Sequence, residues 1–181
     1  VRGIAQSGDI AVLCRNNAPL LSIAFKLIRQ GIGVQMLGRD IGRGLAALLR
    51  KITPEDTTPV TLAIARIRDW QTTEVSKAVA NDNDTAAESA TDRGECLLAI
   101  AAAVGVVDVG QMHKRIEDLF ARNAGVVLST GHRAKGLEWS TVLHLDPWRI
   151  PSKYARMRGG KALEQEMNLL YVIETRAKHT L

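Results

Sequence analysis

Apolar and polar positions at the start of the chain alternate between strand and helix patterns. Short apolar runs bounded by polar residues are typical of buried strands, and apolar residues three or four positions apart are typical of one helix face. In chain order these patterns predict a strand at 9–15, a helix at 20–28, a strand at 34–37, a glycine-rich turn at 38–44 and a helix at 45–52. Such alternation favours a parallel sheet covered by helices.

Residues 51–124 carry no strand pattern. Helical spacing of apolar residues predicts helices at 60–79, 96–104 and 109–122. The stretch at 81–95 is acidic and polar, which predicts a solvated loop between the first two helices. We therefore expect an all-α insertion in this part of the chain.

The strand pattern returns after the insertion. In chain order the sequence predicts strands at 125–130 and 141–145, a mobile basic loop at 147–163, a helix at 164–176 and the start of a strand at 179–181. The predicted fold class is therefore α/β. Residues 1–50 and 125–181 form a parallel sheet flanked by helices, and residues 51–124 form a short all-α insertion.

Composition agrees with a globular domain that has a nucleic-acid partner. Of the 181 residues, 46% are apolar and 24% are charged, which is typical of soluble domains. The formal net charge of +5 is a mild basic excess, which fits a nucleic-acid partner without requiring one.

The cysteines and the first residues of the chain indicate the cellular compartment of the protein. Cys14 and Cys96 lie in apolar runs, and we interpret them as buried thiols in a reducing compartment, which predicts a cytoplasmic protein. No Cys/His spacing matches a metal site, and no apolar run is long enough to predict a membrane span. The start at Val1 has no signal-peptide pattern, and we expect the chain to be a piece of a longer protein.

Polar and charged residues follow the predicted strand at 125–130. Residues 129–139 include two hydroxyl groups, a histidine and two bases. Parallel sheets bind ligands at the carboxyl ends of their strands, and hydroxyl and backbone N–H groups suit phosphate oxygens. The segment therefore predicts a phosphate-binding loop, and the alternative is an ordinary polar surface loop.

The predicted helix at 164–176 ends on Arg176. A cation is favourable at the carboxyl end of a helix, so the arginine can have a purely structural role. A planar guanidinium can also stabilise the charge that develops on a transferred γ-phosphate, as an arginine finger does. The residues by themselves leave both interpretations open.

Together the two segments resemble motifs V and VI of the UvrD/Rep-type (superfamily 1) DNA helicases. The motif V pattern Thr-x-His-x-x-Lys-Gly-Leu-Glu-aromatic is matched by Thr130, His132, Lys135, Gly136, Leu137, Glu138 and Trp139. The motif VI core is matched by Leu169, Tyr171, Val172, Thr175, Arg176 and Ala177. The resemblance implies the second RecA-like (P-loop NTPase-like) motor domain, 2A, with residues 51–124 in the place of a much reduced 2B subdomain.

The resemblance also implies a role for individual residues. Arg176 would be the catalytic arginine that reaches the γ-phosphate of a nucleotide held mainly by another motor domain. Gly136 and Glu138 would contact the nucleotide, Glu138 at its ribose. Contacts with single-stranded DNA are implied for Thr130, His132, Lys135, Arg15 and Asn17. Tyr171 is expected to pack against its own domain.

The implied function is that of a motor domain in an ATP-dependent single-stranded DNA translocase or helicase. Its partners would be ATP with Mg²⁺, single-stranded DNA and an N-terminal RecA-like domain, with no membrane. The chain contains no G-x-x-x-x-G-K-[ST] loop, so we expect it to be inactive alone. Two alternatives stay open: a non-catalytic helicase remnant that binds DNA or a partner, and an unrelated α/β enzyme with its ligand in the turn at 38–44.

Overall fold

The computed structural model describes residues 9–121 and 125–181. The chain divides into two compact units, one of residues 1–37 and 122–181 and the other of residues 38–121. The division therefore precedes the helix predicted at 45–52, which the sequence placed with the α/β half.

Strands and helices follow one another as the apolar pattern predicts, with differences at three segments. The strands are β1 (Ile10–Cys14), β2 (Val34–Met36), β3 (Val126–Thr130), β4 (Trp139–His144) and β5 (Ala177–Thr180). The helices are α1 (Asn17–Arg29), α2 (Arg39–Ile52), α3 (Val60–Ala80), α4 (Asp84–Ala101), α5 (Val109–Ala121), α6 (Lys153–Arg158) and α7 (Gly160–Glu174). Arg122, the last residue of one predicted helix, lies outside the described residues.

The five strands form one parallel sheet in the order β2-β3-β1-β4-β5. Every residue of β1 and β3 is buried, as expected for central strands covered on both faces. On one face, Leu169 and Ile173 of α7 pack in a core with Trp139 and Val142 of β4. The predicted α/β class, a RecA-like parallel sheet flanked by helices, is confirmed.

Both cysteines are buried and free, one in each unit. Burial raises the pKa of the Cys14 thiol and raises that of Cys96 more strongly. Both side chains are therefore protonated at neutral pH and act as small apolar groups. None of the helices in the described parts of the chain is long and apolar enough to cross a membrane.

The predicted basic loop at 147–163 is wrong, because most of this segment is helical. A 3₁₀ turn is followed by α6 and by the first turn of α7. The Ser152 hydroxyl caps α6 by accepting a hydrogen bond from the Ala155 backbone N–H at 3.2 Å. Arg156 donates from Nε to the Pro151 carbonyl oxygen at 2.9 Å, so a base that indicated a solvated loop stabilises the local fold instead.

The predicted solvated loop at 81–95 is also wrong over most of its length, because α4 begins at Asp84. The Asn83 side chain caps the helix by accepting from the Ala86 N–H at 3.0 Å. One face of the helix carries small buried residues, among them Ala87, Ala90 and Gly94. The acidic residues that suggested a loop therefore belong to a helix whose small residues are buried. The same unit also contains an isolated antiparallel bridge between Pro59 and Asp108.

The glycine-rich turn predicted at 38–44 is part of a helix. Only Gly38 has a left-handed conformation, with φ of 114°, and α2 begins at the next residue. A Cβ atom on Gly42 would lie 2.8 Å from the Phe120 ring of α5, whereas one on Gly44 would meet nothing within 4 Å. Gly42 is therefore required for the close packing of α2 on α5. The alternative of an α/β enzyme with a ligand in a turn at 38–44 rested on that turn, and residues 39–44 are helical instead.

The two glycines of α2 predict opposite effects on stability. Gly44→Ala is expected to stabilise the chain by about 0.5–1 kcal/mol, because it removes backbone freedom from the unfolded state without a clash. Gly42→Ala is expected to destabilise it by about 1–3 kcal/mol, because its Cβ overlaps the Phe120 ring. Urea unfolding of the two variants measures both values. Equal effects would contradict the close packing of α2 on α5.

Candidate nucleotide and DNA interface

Residues implied to contact DNA gather where β1 and β3 end. The two strands are neighbours, with Cys14 opposite Thr130, so the residues that follow them share one edge of the sheet. Arg15 follows β1 directly, and α1 begins at Asn17. The amino end of α1, which carries the positive end of the helix dipole, therefore lies at the edge that parallel sheets use for ligands.

A tight turn after β3 exposes two of the implied DNA contacts and buries a third. The Thr130 carbonyl oxygen accepts from the N–H groups of Arg133 and Ala134, both at 3.0 Å. Thr130 is only 7% exposed, whereas His132 and Lys135 are exposed. The backbone of Thr130 thus shapes the turn, and the histidine and lysine are the groups that face solvent.

The pKa of His132 is lowered below its ordinary value of 6.5. Partial burial of the ring is the larger cause, and the positive charge of Arg15 is the second; Glu166 acts in the opposite direction. His132 is therefore mainly neutral at pH 7, and a neutral imidazole can donate a hydrogen bond without carrying a full charge.

Gly131 brings this turn directly against α7. A Cβ atom at this position would lie 2.6 Å from Cγ1 of Ile173 and 2.9 Å from Cδ1 of Leu169. The Gly131 N–H also donates to the Cys14 carbonyl oxygen at 3.0 Å, which continues the pairing of β3 with β1. The position therefore admits no side chain unless Ile173 or Leu169 of α7 shifts.

Arg15 forms a part-buried ion pair with Glu166 of α7. Its Nε lies 3.0 Å from both carboxylate oxygens of Glu166, and its Nη2 lies 2.8 Å from Oε1. The Ser152 backbone N–H also donates to Glu166 Oε2, at 3.0 Å. The guanidinium implied to contact DNA is thus engaged within its own domain.

Arg176 lies beside the loop that connects β3 and β4. Its Nη1 donates to the Leu137 carbonyl oxygen at 3.2 Å, and its Nε donates to the Val172 carbonyl oxygen at 3.0 Å. Its Nη2 donates to the Thr175 hydroxyl at 3.0 Å. These bonds use three of the five guanidinium N–H donors, and the other two make no hydrogen bond to residues 9–121 or 125–181.

Glu138 and Gly136 complete the exposed group around Arg176. Glu138 is exposed and lies 3.9 Å from Lys178 Nζ, a solvent-screened pair of little energetic weight. Gly136 is also exposed and has φ of 84°, a left-handed conformation that favours glycine. The backbone at this point turns the chain into β4.

The structure divides the implied site residues between two ends of the sheet. Thr130 and Arg15 lie at the carboxyl ends of their strands, whereas Arg176 lies at the amino end of β4, where its carbonyl oxygen accepts from the Trp139 N–H at 3.0 Å. The strand register places Trp139 about 20 Å from Thr130 along the strand direction, at roughly 3.3 Å per residue. The loop of residues 131–138 joins the two ends.

Two residues of this arrangement were missed in the sequence, and one was misjudged. Glu166 is buried with Leu169 and Ile173 at spacings of three and four, so an acid on the apolar face of a helix was the available signal. The close approach at Gly131 had no signal in the sequence. Tyr171, expected to pack, is 68% exposed.

The five-stranded parallel sheet flanked by helices is the fold of a RecA-like helicase C-terminal domain. The family of the UvrD-like helicase C-terminal domain matches residues 71–181, more than half of the chain, and the chain belongs to this family. A relative, the F-box DNA helicase protein 1 of Schizosaccharomyces pombe (strain 972 / ATCC 24843), is 38% identical over 60 residues. The matched part is 32% of this chain and 7% of that protein's length.

Proposed function

We propose that this chain is the C-terminal motor domain of an ATP-dependent translocase or helicase that moves on single-stranded DNA, in the 3′ to 5′ direction. The observation that carries the proposal is the contact between Arg176 and the backbone of Leu137. It joins the two segments that resemble motifs V and VI at one end of the sheet. Membership of the UvrD-like helicase C-terminal family supports the same conclusion.

The residues at the amino end of β4 fit a nucleotide whose phosphates are held mainly by an upstream RecA-like domain. Two N–H donors of Arg176 make no bond to the described part of the chain and suit a γ-phosphate, and the exposed carboxylate of Glu138 suits the hydroxyl groups of a ribose. Gly136 leaves room for close approach to its backbone. Hydrolysis of ATP bound with Mg²⁺ would supply the free energy for movement, and Arg176 would stabilise the charge that develops on the transferred γ-phosphate.

The opposite end of the sheet suits the phosphates of single-stranded DNA. His132 and Lys135 are exposed in the loop that follows β3, and the amino end of α1 adds the positive end of its helix dipole. Thr130 shapes the turn, and Asn17 stands at the start of α1. Phosphate contacts of this kind bind without reading the sequence of bases.

Closure of two motor domains on the nucleotide would couple the two ends of the sheet. Arg176 completes the site in trans, so this domain closes with ATP present and opens after hydrolysis. Because the loop of residues 131–138 joins Arg176 to the turn after β3, closure moves the DNA contacts. Each cycle advances the domain by about one nucleotide, as one closure displaces one set of phosphate contacts.

Binding of fluorescent single-stranded DNA to the chain tests the DNA end of this proposal. Binding should be weak and should fall steeply with salt. Lys135→Gln is expected to weaken it about threefold or more and to reduce the magnitude of the slope of log affinity against log salt by about 0.7, the value of one lost phosphate contact. The measurement is fluorescence anisotropy at several salt concentrations.

Lys26→Gln is the matched control for this measurement. Lys26 is exposed in the last turn of α1, at the opposite end of that helix from Asn17, and its loss should leave affinity and slope unchanged. Equal effects of the two variants would reject a DNA contact at Lys135. Full DNA binding without any DNA-stimulated ATPase in the full-length protein would favour the non-catalytic remnant.

A further inference from the structure

A carboxylate buried on the apolar face of α7 has no role in the proposed site. Glu166 is 7% exposed, and the residues of α7 that share its face, Leu169 and Ile173, belong to the core. Burying an ionised carboxylate is costly unless it is paired and hydrogen-bonded. Here Arg15 and the backbone N–H of Ser152 supply that pairing. An apolar residue would fill this face at lower cost, so the charge requires an explanation.

The position of the pair suggests the explanation. Arg15 directly follows β1, at the edge where the implied DNA contacts lie, and Glu166 belongs to the helix that leads to Arg176. From Glu166 to Glu174 the helix rises about 12 Å at ~1.5 Å per residue, and Arg176 is two residues further on. The ion pair therefore attaches the middle of α7 to one end of the sheet, and Arg176 follows the carboxyl end of the same helix.

A second contact also joins this edge of the sheet to α7. Gly131, in the turn that exposes His132, packs without a side chain against Leu169 and Ile173. The turn and the ion pair both touch α7 ahead of Arg176, and both are built on residues that directly follow β1 or β3. The edge that carries the implied DNA contacts therefore touches one helix, α7, at two points.

We propose that Glu166 is a positioning residue that ties α7 to Arg15, so that DNA bound at the carboxyl ends of β1 and β3 fixes the position of Arg176. The inference rests on the proposed function. Arg15 then acts through its ion pair rather than as a simple phosphate contact. Because both carboxylate oxygens are engaged, the tie has a defined geometry rather than only an attraction between charges.

Glu166→Gln in the full-length protein is the test, because glutamine keeps the shape and removes the charge and one acceptor. The readout is a ratio: the dissociation constant of single-stranded DNA without nucleotide divided by that with a non-hydrolysable ATP analogue. In the wild type we expect this ratio to differ from one by about 5-fold or more, the usual range for coupled sites. In Glu166→Gln it should approach one, with the nucleotide-free affinity changed far less.

Matched variants separate positioning from stability. Glu164 is exposed on the same helix, and Glu164→Gln should keep the wild-type ratio. If Glu166→Gln leaves Arg15 uncompensated and unfolds the protein, Arg15→Gln together with Glu166→Gln removes both charges, and this pair should lose the coupling while remaining folded. If the single and double variants lose the coupling ratio equally, Arg15 and Glu166 act together as one ion pair.

Each remaining outcome decides against one claim. If Glu166→Gln keeps the wild-type ratio, or if it lowers DNA affinity equally with and without the nucleotide, the acid has a structural role and the positioning inference is overturned. If the wild-type protein shows neither coupling nor DNA-stimulated ATPase, and Arg176→Ala changes nothing, the proposed function itself fails, and the inference fails with it.

Discussion

Arg176→Ala in the full-length protein is expected to lower DNA-stimulated ATP hydrolysis by about 10³-fold or more, since an arginine finger contributes roughly 10³–10⁵ in rate. The nucleotide phosphates are proposed to be held mainly by the upstream domain, so ATP affinity should change only a few-fold. Steady-state ATPase assays with saturating single-stranded DNA measure the first effect. Equilibrium binding of a fluorescent ATP analogue measures the second.

Arg29→Ala is the matched control for this prediction. Arg29 is an exposed arginine in the last turn of α1, and its loss should leave turnover unchanged. Because Arg176 also bonds to Val172 and Leu137, thermal unfolding must show that the variant is folded. Retained turnover in a folded Arg176→Ala protein would reject the arginine-finger assignment and leave this residue as a helix C-terminal cation.

Ile173→Ala is expected to destabilise the chain by about 2–5 kcal/mol, the usual cost of a cavity in a packed core. Ile173 has no exposed surface and packs in the core that joins α7 to β4. Gly131→Ala alone is expected to cost about 1–3 kcal/mol, because its Cβ would lie 2.6 Å from Ile173 Cγ1. Urea unfolding measures each free energy.

The double variant Gly131→Ala, Ile173→Ala tests whether these two residues share one space. The added methyl group would enter the cavity that the isoleucine leaves, so the combined cost should fall short of the sum by about 1 kcal/mol or more. Val34→Ala combined with Gly131→Ala is the control, because Val34 is buried in β2 opposite Val126, at the other end of β3 from Gly131, and its effect should be additive. Additivity in the first pair would contradict the packing of the turn against α7.

The residues of the candidate site could be predicted because their spacing is local. The pattern from Thr130 to Trp139 and the pattern ending in Ala177 are short, and each falls on a strand–turn or helix–strand junction that apolar periodicity also predicts. The division of these residues between two ends of the sheet was not predicted. It follows from the parallel register of β1 with β3 and β4, which involves residues far apart in the chain.

The errors at 38–44, 81–95 and 147–163 have one physical origin. Glycine, acidic residues and basic residues are frequent in loops, and in each segment they were interpreted by composition. In the structure Gly42 is opposite Phe120, small residues of α4 form a buried face, and Arg156 binds a carbonyl oxygen. Packing partners decided these segments, and local propensity was overridden.

Periodicity and two short motifs, which are properties of neighbouring residues, determined the α/β class and the choice of Arg176, His132, Lys135 and Glu138 as candidate functional groups. Contacts between distant segments decided the rest: Arg15 pairs with Glu166 across most of the chain length, and Gly131 lies against Ile173. Each such contact depends on where the sheet brings two segments together. The order of residues along the chain does not give the distance between such segments, so only the tertiary structure determined these contacts.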